Sequence, residues 1–158
     1  MKDKKVFIIS NESIQDESNN YFCDNLDLKS IPEGLNEFFN INVIARKSKF
    51  KRYHLINEVN IKVASNILSY IKLVLESLKD KHNSKYLVIS ISPFTFIATI
   101  ILFLFKIKPL VYLRSDGYEE YKSIMGFIGL SIYHFMFSVT ASISNLISCR
   151  KHIKKKKI

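Results

Sequence analysis

The stretch KVFIISNESIQDESNN, residues 5–20, decides how the rest of the chain is read. KVFIIS is apolar and β-branched, the pattern of a short strand buried on both faces. The ten residues NESIQDESNN are mostly polar and contain no glycine. They read as a surface loop leaving the strand's carboxyl end. A first strand that stops at Ser10 needs partners from elsewhere in the chain.

Those partners follow in alternation with helices. Ser30, Pro32 and Glu33 match an S-x-x-E capping box, which satisfies free N–H groups at a helix start, with Leu35, Phe38 and Phe39 as the core face. INVIA, residues 41–45, reads as a second strand. Val63, Ile67, Ile71, Val74, Leu75 and Leu78 recur at three- and four-residue steps, predicting an amphipathic helix over 58–79. YLVISI, 86–91, is a third strand. Ser92 and Pro93 then make a good N-cap and N1 pair for an apolar helix over 94–105. A fourth strand (110–113), a helix (118–137) and a fifth strand (143–148) complete the series. Apolar strands alternating with helices indicate parallel neighbours joined by crossovers, with both faces of the sheet covered. The expected fold class is α/β: a Rossmann-like three-layer sandwich with a mainly parallel sheet of about five or more strands and helices on both faces.

At 158 residues the chain has the length of one ordinary domain. Its formal charge is +10, which points to an anionic partner: nucleic acid, a phosphorylated ligand or an acidic membrane surface. Twenty Lys stand against four Arg, whereas base reading favours arginine. No nucleic-acid-binding motif accompanies the charge, so no nucleic acid is expected as a partner. Cys23 and Cys149 lie far apart in no metal-like spacing and read as reduced thiols of a cytosolic protein. No metal site can be assembled from the scattered histidines, and His134, on an apolar helix, reads as a satisfied core residue. The apolar run near the amino terminus is only four residues long, too short for a secretory signal. Residues 93–105 fall short of the roughly 20 that a spanning helix needs. Residues 123–149 carry no formal charge, but their many Ser, Thr and Asn suit a buried helix followed by a buried strand.

The common nucleotide and hydrolase signatures are missing. There is no G-x-G-x-x-G, no P-loop, no G-x-S-x-G and no H-E-x-x-H in the chain. In an open α/β sheet the ligand crevice lies beyond the carboxyl ends of the strands. Those ends are Ser10-Asn11, Arg46-Lys47, Ser90 and Ser92, Arg114 to Gly117, and Cys149-Arg150; of them Asn11, Arg46, Lys47, Ser92, Arg114 and Ser115 are the candidate ligand-binding residues. Asp116 follows, and has two readings: cap of the next helix, with Gly117 supplying the turn, or a carboxylate at the rim of a site.

The order of elements, together with IARKSKFKRYHL, YLVISISPFTF, VYLRSDGYEEY and LISCRKHI, resembles the N-terminal half of a family 4 glycosyltransferase of the GT-B fold. The resemblance runs to about residue 153, and residues 154–158 form a basic tail. In that family the N-terminal domain holds the acceptor, and a C-terminal domain binds the sugar nucleotide through an E-x7-E glutamate pair. The resemblance implies a glycan or lipid-linked acceptor, with Asn11, Arg46, Lys47, Ser92, Arg114 and Ser115 around it and Asp116 as candidate general base. It implies no cofactor of this half's own. The family's glycine-containing loop after the first strand is not present here.

The segment RKSKFKRYH, 46–54, is basic with interleaved aromatics. Lys49, Lys51 and Arg52 are its candidate contacts to anionic lipid headgroups or to a pyrophosphate-linked acceptor. The expected location is cytoplasmic and peripheral on the inner face of the cytoplasmic membrane. Four successive lysines, 154–157, suggest a slippery adenine tract, so a truncated or split enzyme is expected, its donor domain on a separate polypeptide. The other reading is a non-catalytic binding module that contacts a membrane or a partner subunit.

Overall fold

The computed structural model describes residues 4–57 and 59–148. The expected strand exit at Cys149 and Arg150, and the basic tail, lie outside the described residues. Two compact units make up the chain, Met1–Tyr86 and Leu87–Ile158.

The first unit is organised by β1 (Lys5–Glu17), a strand of 13 residues. It does not stop at Ser10. Ile14, in the middle of the expected loop, is as fully buried as Ile8 and Ile9. β1 turns at Ser18 and Asn19, both in the left-handed region (φ 52° and 67°), and returns as β2 (Asn20–Cys23). A two-residue turn with both φ angles positive matches the right-handed twist of an antiparallel ribbon. Glu17 pairs with Asn20 and Gln15 with Phe22 in that ribbon. Asn25 then caps α1 (Leu26–Leu35), its Oδ1 accepting from Asp27 N at 2.9 Å and Leu28 N at 3.3 Å. The helix thus begins a turn earlier than the Ser30 capping box predicts. Ser30 lies inside it, donating to the Leu26 carbonyl, and Glu33 pairs with Lys29 one turn back.

β3 (Asn40–Lys47) runs parallel to β1. β4 (His54–Ile56) adds antiparallel to β2, and β5 (Asn60–Ala64) adds parallel to β3. β5 replaces the start of the helix expected over 58–79. Asn60 and Lys62 are exposed while Ile61 is buried and Val63 half-buried, an alternation that serves a strand; the three- and four-residue stripe begins only afterwards. α2 (Ile67–Ser77) starts at Asn66, whose side chain and that of Ser69 cap each other's backbone N–H groups. A 3₁₀ stretch (Leu78–Asn83) leads into β6 (Ser84–Ile89), inside which the division between the units falls. Cys23, closing β2, is fully buried, and its thiol donates to the Asn25 carbonyl at 3.3 Å.

In the second unit β6, β7 (Leu110–Tyr112) and β8 (Asn145–Ile147) pair in parallel. α3 (Pro93–Leu104) joins β6 to β7, capped by Ser92 with Pro93 at its first position, as the sequence predicts. α4 (Gly117–Ile143) joins β7 to β8. It is not one rod. Gly126 has φ 62° and ψ −142°, and the helix reverses there. Tyr118 OH is hydrogen bonded to His134 Nδ1 at 3.0 Å. Sixteen residues of straight helix would separate those positions by about 24 Å. Tyr118 also packs on Tyr133 and Phe137, and Tyr121 on Tyr133. The legs 117–125 and 127–143 therefore form an antiparallel hairpin. His134 is satisfied, as expected, by Tyr118.

Eight strands form among the described residues, and their pairing is mixed: parallel for β1–β3, β3–β5, β6–β7 and β7–β8, antiparallel for β1–β2 and β2–β4. The mainly parallel Rossmann-like sandwich expected from the sequence is not what forms. Its cause is the overrun of β1, which carries its own hairpin partner into the sheet. A second correction concerns residues 123–143. They are largely exposed: only 28% of the most apolar window of α4 is buried.

Two substitutions test these features. Ile14→Ala, at a buried strand position, is expected to cost about 2–5 kcal/mol in denaturant unfolding, whereas in a surface loop it would be near neutral. Gly129→Ala would drive its Cβ into the Tyr121 carbonyl and against Met125 Cβ. It should destabilise the hairpin by about 1–3 kcal/mol and disturb the near-ultraviolet tyrosine signal.

Candidate functional site

In the first unit the candidate residues gather at an irregularity of β1. Ile9 pairs with Ile44, but the next aligned pair is Ser13 with Arg46. Two extra residues of β1 are therefore accommodated between them, and bulges of this kind re-aim side chains near binding sites. Asn11 lies in the bulge. Its carbonyl accepts from Arg46 Nε at 2.6 Å, and its own Oδ1 is buried without a hydrogen-bond partner. Tyr70, from α2, donates to the Ser10 carbonyl at 3.0 Å. Burial pushes the Tyr70 phenol well up, and the nearby Arg46 charge offsets part of that. Asn11 and Arg46 are thus joined by a hydrogen bond at the bulge. Lys47, the last residue of β3, is exposed.

The basic loop divides into two kinds of side chain. Lys49 and Lys51 are exposed. Arg52, expected to meet anions, is a structural anchor instead. It pairs with Asp24, its Nε donates to Ser48 Oγ at 3.0 Å, and its backbone N–H donates to Gln15 Oε1 at 2.7 Å. The Arg52 hydrogen bond holds the Asp24 carboxyl below the usual carboxylate range. The pairing is accordingly present above that range and is lost as pH falls through the lowered value. Phe50 and Tyr53 are exposed, at 75% and 76%.

In the second unit the turns after β6 and β7 lie side by side, because Ser90 N–H donates to the Tyr112 carbonyl at 2.8 Å. Ser90 sits in the left-handed region (φ 63°), a conformation that costs a non-glycine residue about 1–2 kcal/mol. Its carbonyl accepts from Thr95 Oγ1, while its hydroxyl is buried without a partner. Ser92 is placed here too, but its hydroxyl is engaged in the cap with Thr95 and it is only 7% exposed. Arg114, Ser115 and Asp116 are half-buried between β7 and α4. Asp116 is the N-cap of α4, its Oδ1 accepting from Tyr118 N at 3.1 Å. Gly117 serves close packing rather than a special turn: a Cβ there would enter the Tyr133 ring. Ser90 reads from the sequence as a strand end beside Ser92 but is not among the ligand-binding candidates. Its signal was weak, a serine at the edge of an apolar strand two positions before a good helix cap.

A hollow of about 390 Å³ lies at the amino-terminal side of β7 and β8, lined by Phe103, Lys106, Ile107, Lys108, Ser142 and Ile143. It is away from the strand ends that carry Ser90 and Arg114. No group of three or more His, Cys, Asp or Glu that could hold a metal ion occurs among the described residues. Compared with known protein families, curated proteins and solved structures, the chain matches none.

The arrangement offers hydroxyl, amide and guanidinium groups at strand ends. Asp116 is the one carboxylate among the candidates, and it is spent at least in part on a helix. Asp116→Ala is expected to lower stability by about 1 kcal/mol, whereas Asp116→Asn, an equally good cap, should change it by only a few tenths; thermal unfolding of both variants distinguishes the cap from a stability-neutral rim carboxylate.

Proposed function

We propose that the chain is the acceptor-holding half of a sugar-transferring enzyme of the family 4 glycosyltransferase kind, acting on a lipid-linked or cell-surface glycan. A separate donor-binding domain takes the nucleotide sugar. The observation that carries this reading is a shortage of partners in each unit at the carboxyl end of a parallel strand. Asn11 Oδ1 after the first stretch of β1, and Ser90 Oγ after β6, are buried without hydrogen bonds. Leaving such an atom unsatisfied costs about 1–3 kcal/mol, and glycan hydroxyls both donate and accept. Arg46 and Arg114 add positive charge at strand ends, which suits the phosphates of a lipid-linked acceptor. The resemblance of VYLRSDGYEEY and YLVISISPFTF to the acceptor half supports the same reading. In transfer, Asp116 would take the acceptor hydroxyl's proton as that oxygen attacks the sugar carbon, the nucleotide leaving with the bonding electrons.

A second reading, a non-catalytic binding module, is favoured by one observation: Asp116 already caps α4. The two part company in reconstitution. With a donor domain supplied separately, Asp116→Asn should abolish glycosyl transfer while preserving stability if Asp116 is the base, and leave transfer unchanged if it is only a cap.

Acceptor binding is tested by calorimetry with a water-soluble, short-chain polyprenyl diphosphate sugar. Ser90→Ala and Asn11→Ala are expected to leave the free chain as stable as before, or more so, yet to weaken binding about fivefold or more. Tight binding of a uridine diphosphate sugar by this chain alone, or no binding of the polyprenyl probe, would overturn the reading.

A further inference from the structure

The reversal of α4 leaves a feature that the fold does not require. A crossover from β7 to the parallel β8 needs one return pass, and the leg 127–143 supplies it. The leg 117–125 is an excursion that climbs beyond the carboxyl ends of β6 and β7 before the chain turns back at Gly126. Its tip is apolar and bare: Ile124 is 76% exposed, Phe127 80% and Ile128 71%, with Met125 exposed beside them. Ile132 and Phe135 continue the exposed surface down the second leg.

We propose that this hairpin tip dips into the interfacial layer of an anionic lipid bilayer, so that the protein is monotopic and is anchored at Gly126. By length and composition α4 could cross a membrane, but folded it cannot. Its legs are about 13 and 25 Å long at 1.5 Å per residue, against a hydrocarbon core of about 30 Å. Insertion is shallow instead. From Lys122 to Gly126 is about 6 Å of helix, within the 5–10 Å depth that interfacial helices reach. Lys122 is exposed at the base of the tip, where phosphate headgroups would lie.

Charge complementarity favours an anionic surface over a protein socket. The chain's formal charge is +10, and Lys122 is the charged residue nearest the tip. Glu119 and Glu120, exposed about 3–5 Å further from the tip than Lys122, offset part of that attraction. The geometry argues the same way. The bare residues run consecutively around the turn, so they face outward on all sides of a convex end rather than along one stripe. A fluid apolar layer covers such an end completely, whereas a partner's surface covers one side. The free N–H and C=O groups that any helix end leaves limit the depth, because headgroups and water can satisfy them and hydrocarbon cannot.

The chain has no tryptophan, so Phe127→Trp places a single reporter at the tip. With vesicles of phosphatidylcholine and phosphatidylglycerol its emission should shift to the blue, and lipids brominated near the glycerol should quench it more than lipids brominated near the chain ends. In sedimentation with the same vesicles, the double variant Phe127→Asp/Ile128→Asp should lose binding at least about tenfold, with an unchanged circular dichroism spectrum because both positions are exposed. Lys122→Glu should weaken binding only where phosphatidylglycerol is present.

The proposal is overturned if the tryptophan emission stays unshifted with the vesicles. It is equally overturned if the double variant binds like the parent while Lys49→Glu/Lys51→Glu does not, which would assign the contact to the basic loop. A tip-dependent dimer in size exclusion without vesicle binding would assign the surface to a second copy. No acceptor or donor is present in these measurements, so their outcome is independent of the sugar-transfer reading.

Discussion

The parallel ladder between β1 and β3 is the constraint on which the first unit rests. Lys5 to Ile9 align with Asn40 to Ile44, and Ser13 and Ile14 with Arg46 and Lys47. Behind this ladder Ile8, Ile9, Ile14, Val43 and Ile44 are closed to water. Fully burying side chains of this size is worth about 1.5–3 kcal/mol each, so the two strands must stay in register over their whole length. The surplus residues of β1 cannot be spread along it. They are gathered into one bulge between Ile9 and Ser13, and that bulge sets out Asn11 beside Arg46. Packing need and candidate site thus have one cause.

The second unit meets a different requirement. Three short parallel strands need long return paths, and α3 and α4 provide them. α3 begins under a full set of caps at Ser92 and Thr95. α4 begins at Asp116, is pinned to itself by Tyr118, Tyr121, Tyr133 and Phe137, and turns at a glycine in a conformation few other residues tolerate. Gly129 and Gly117 let the legs close: each faces an atom that would leave no room for a methyl group. The apolar composition of this segment is therefore divided between aromatic contacts inside the hairpin and a bare end outside it.

How far the sequence revealed this depends on whether local signals were unique. Apolar β-branched runs bounded by polar residues located β3, β6, β7 and β8 to within a residue or two at most ends, and Ser92-Pro93 located the start of α3. β5 was hidden because Ile61, Val63 and Ile67 fit a helical stripe as well as an alternating one, and only pairing with β3 decides between them. The β1–β2 hairpin was hidden because its turn is Ser18-Asn19 without a glycine, and because Ile14 is a single apolar residue in a polar run. Of the candidate site, Asn11 and Arg46 were legible from their position after strands. Ser90 was legible as a strand end but not as an orphaned hydroxyl, which is defined by missing neighbours that no sequence pattern announces. The reversal of α4 was equally invisible: residues 117–143 have a helix's composition throughout, and nothing in that composition says that Tyr118 will reach His134.

Cys23 gives the first unit a built-in gauge of its own integrity. Its side chain is closed off at the end of β2, and burial pushes the thiol's pKa up, so little reactive thiolate forms. An alkylating reagent can reach it only when the ribbon of β1 and β2 comes away from the unit. The speed of that alkylation, followed in a chain whose Cys149 has been replaced, would then keep time with local opening of the element that sets the bulge.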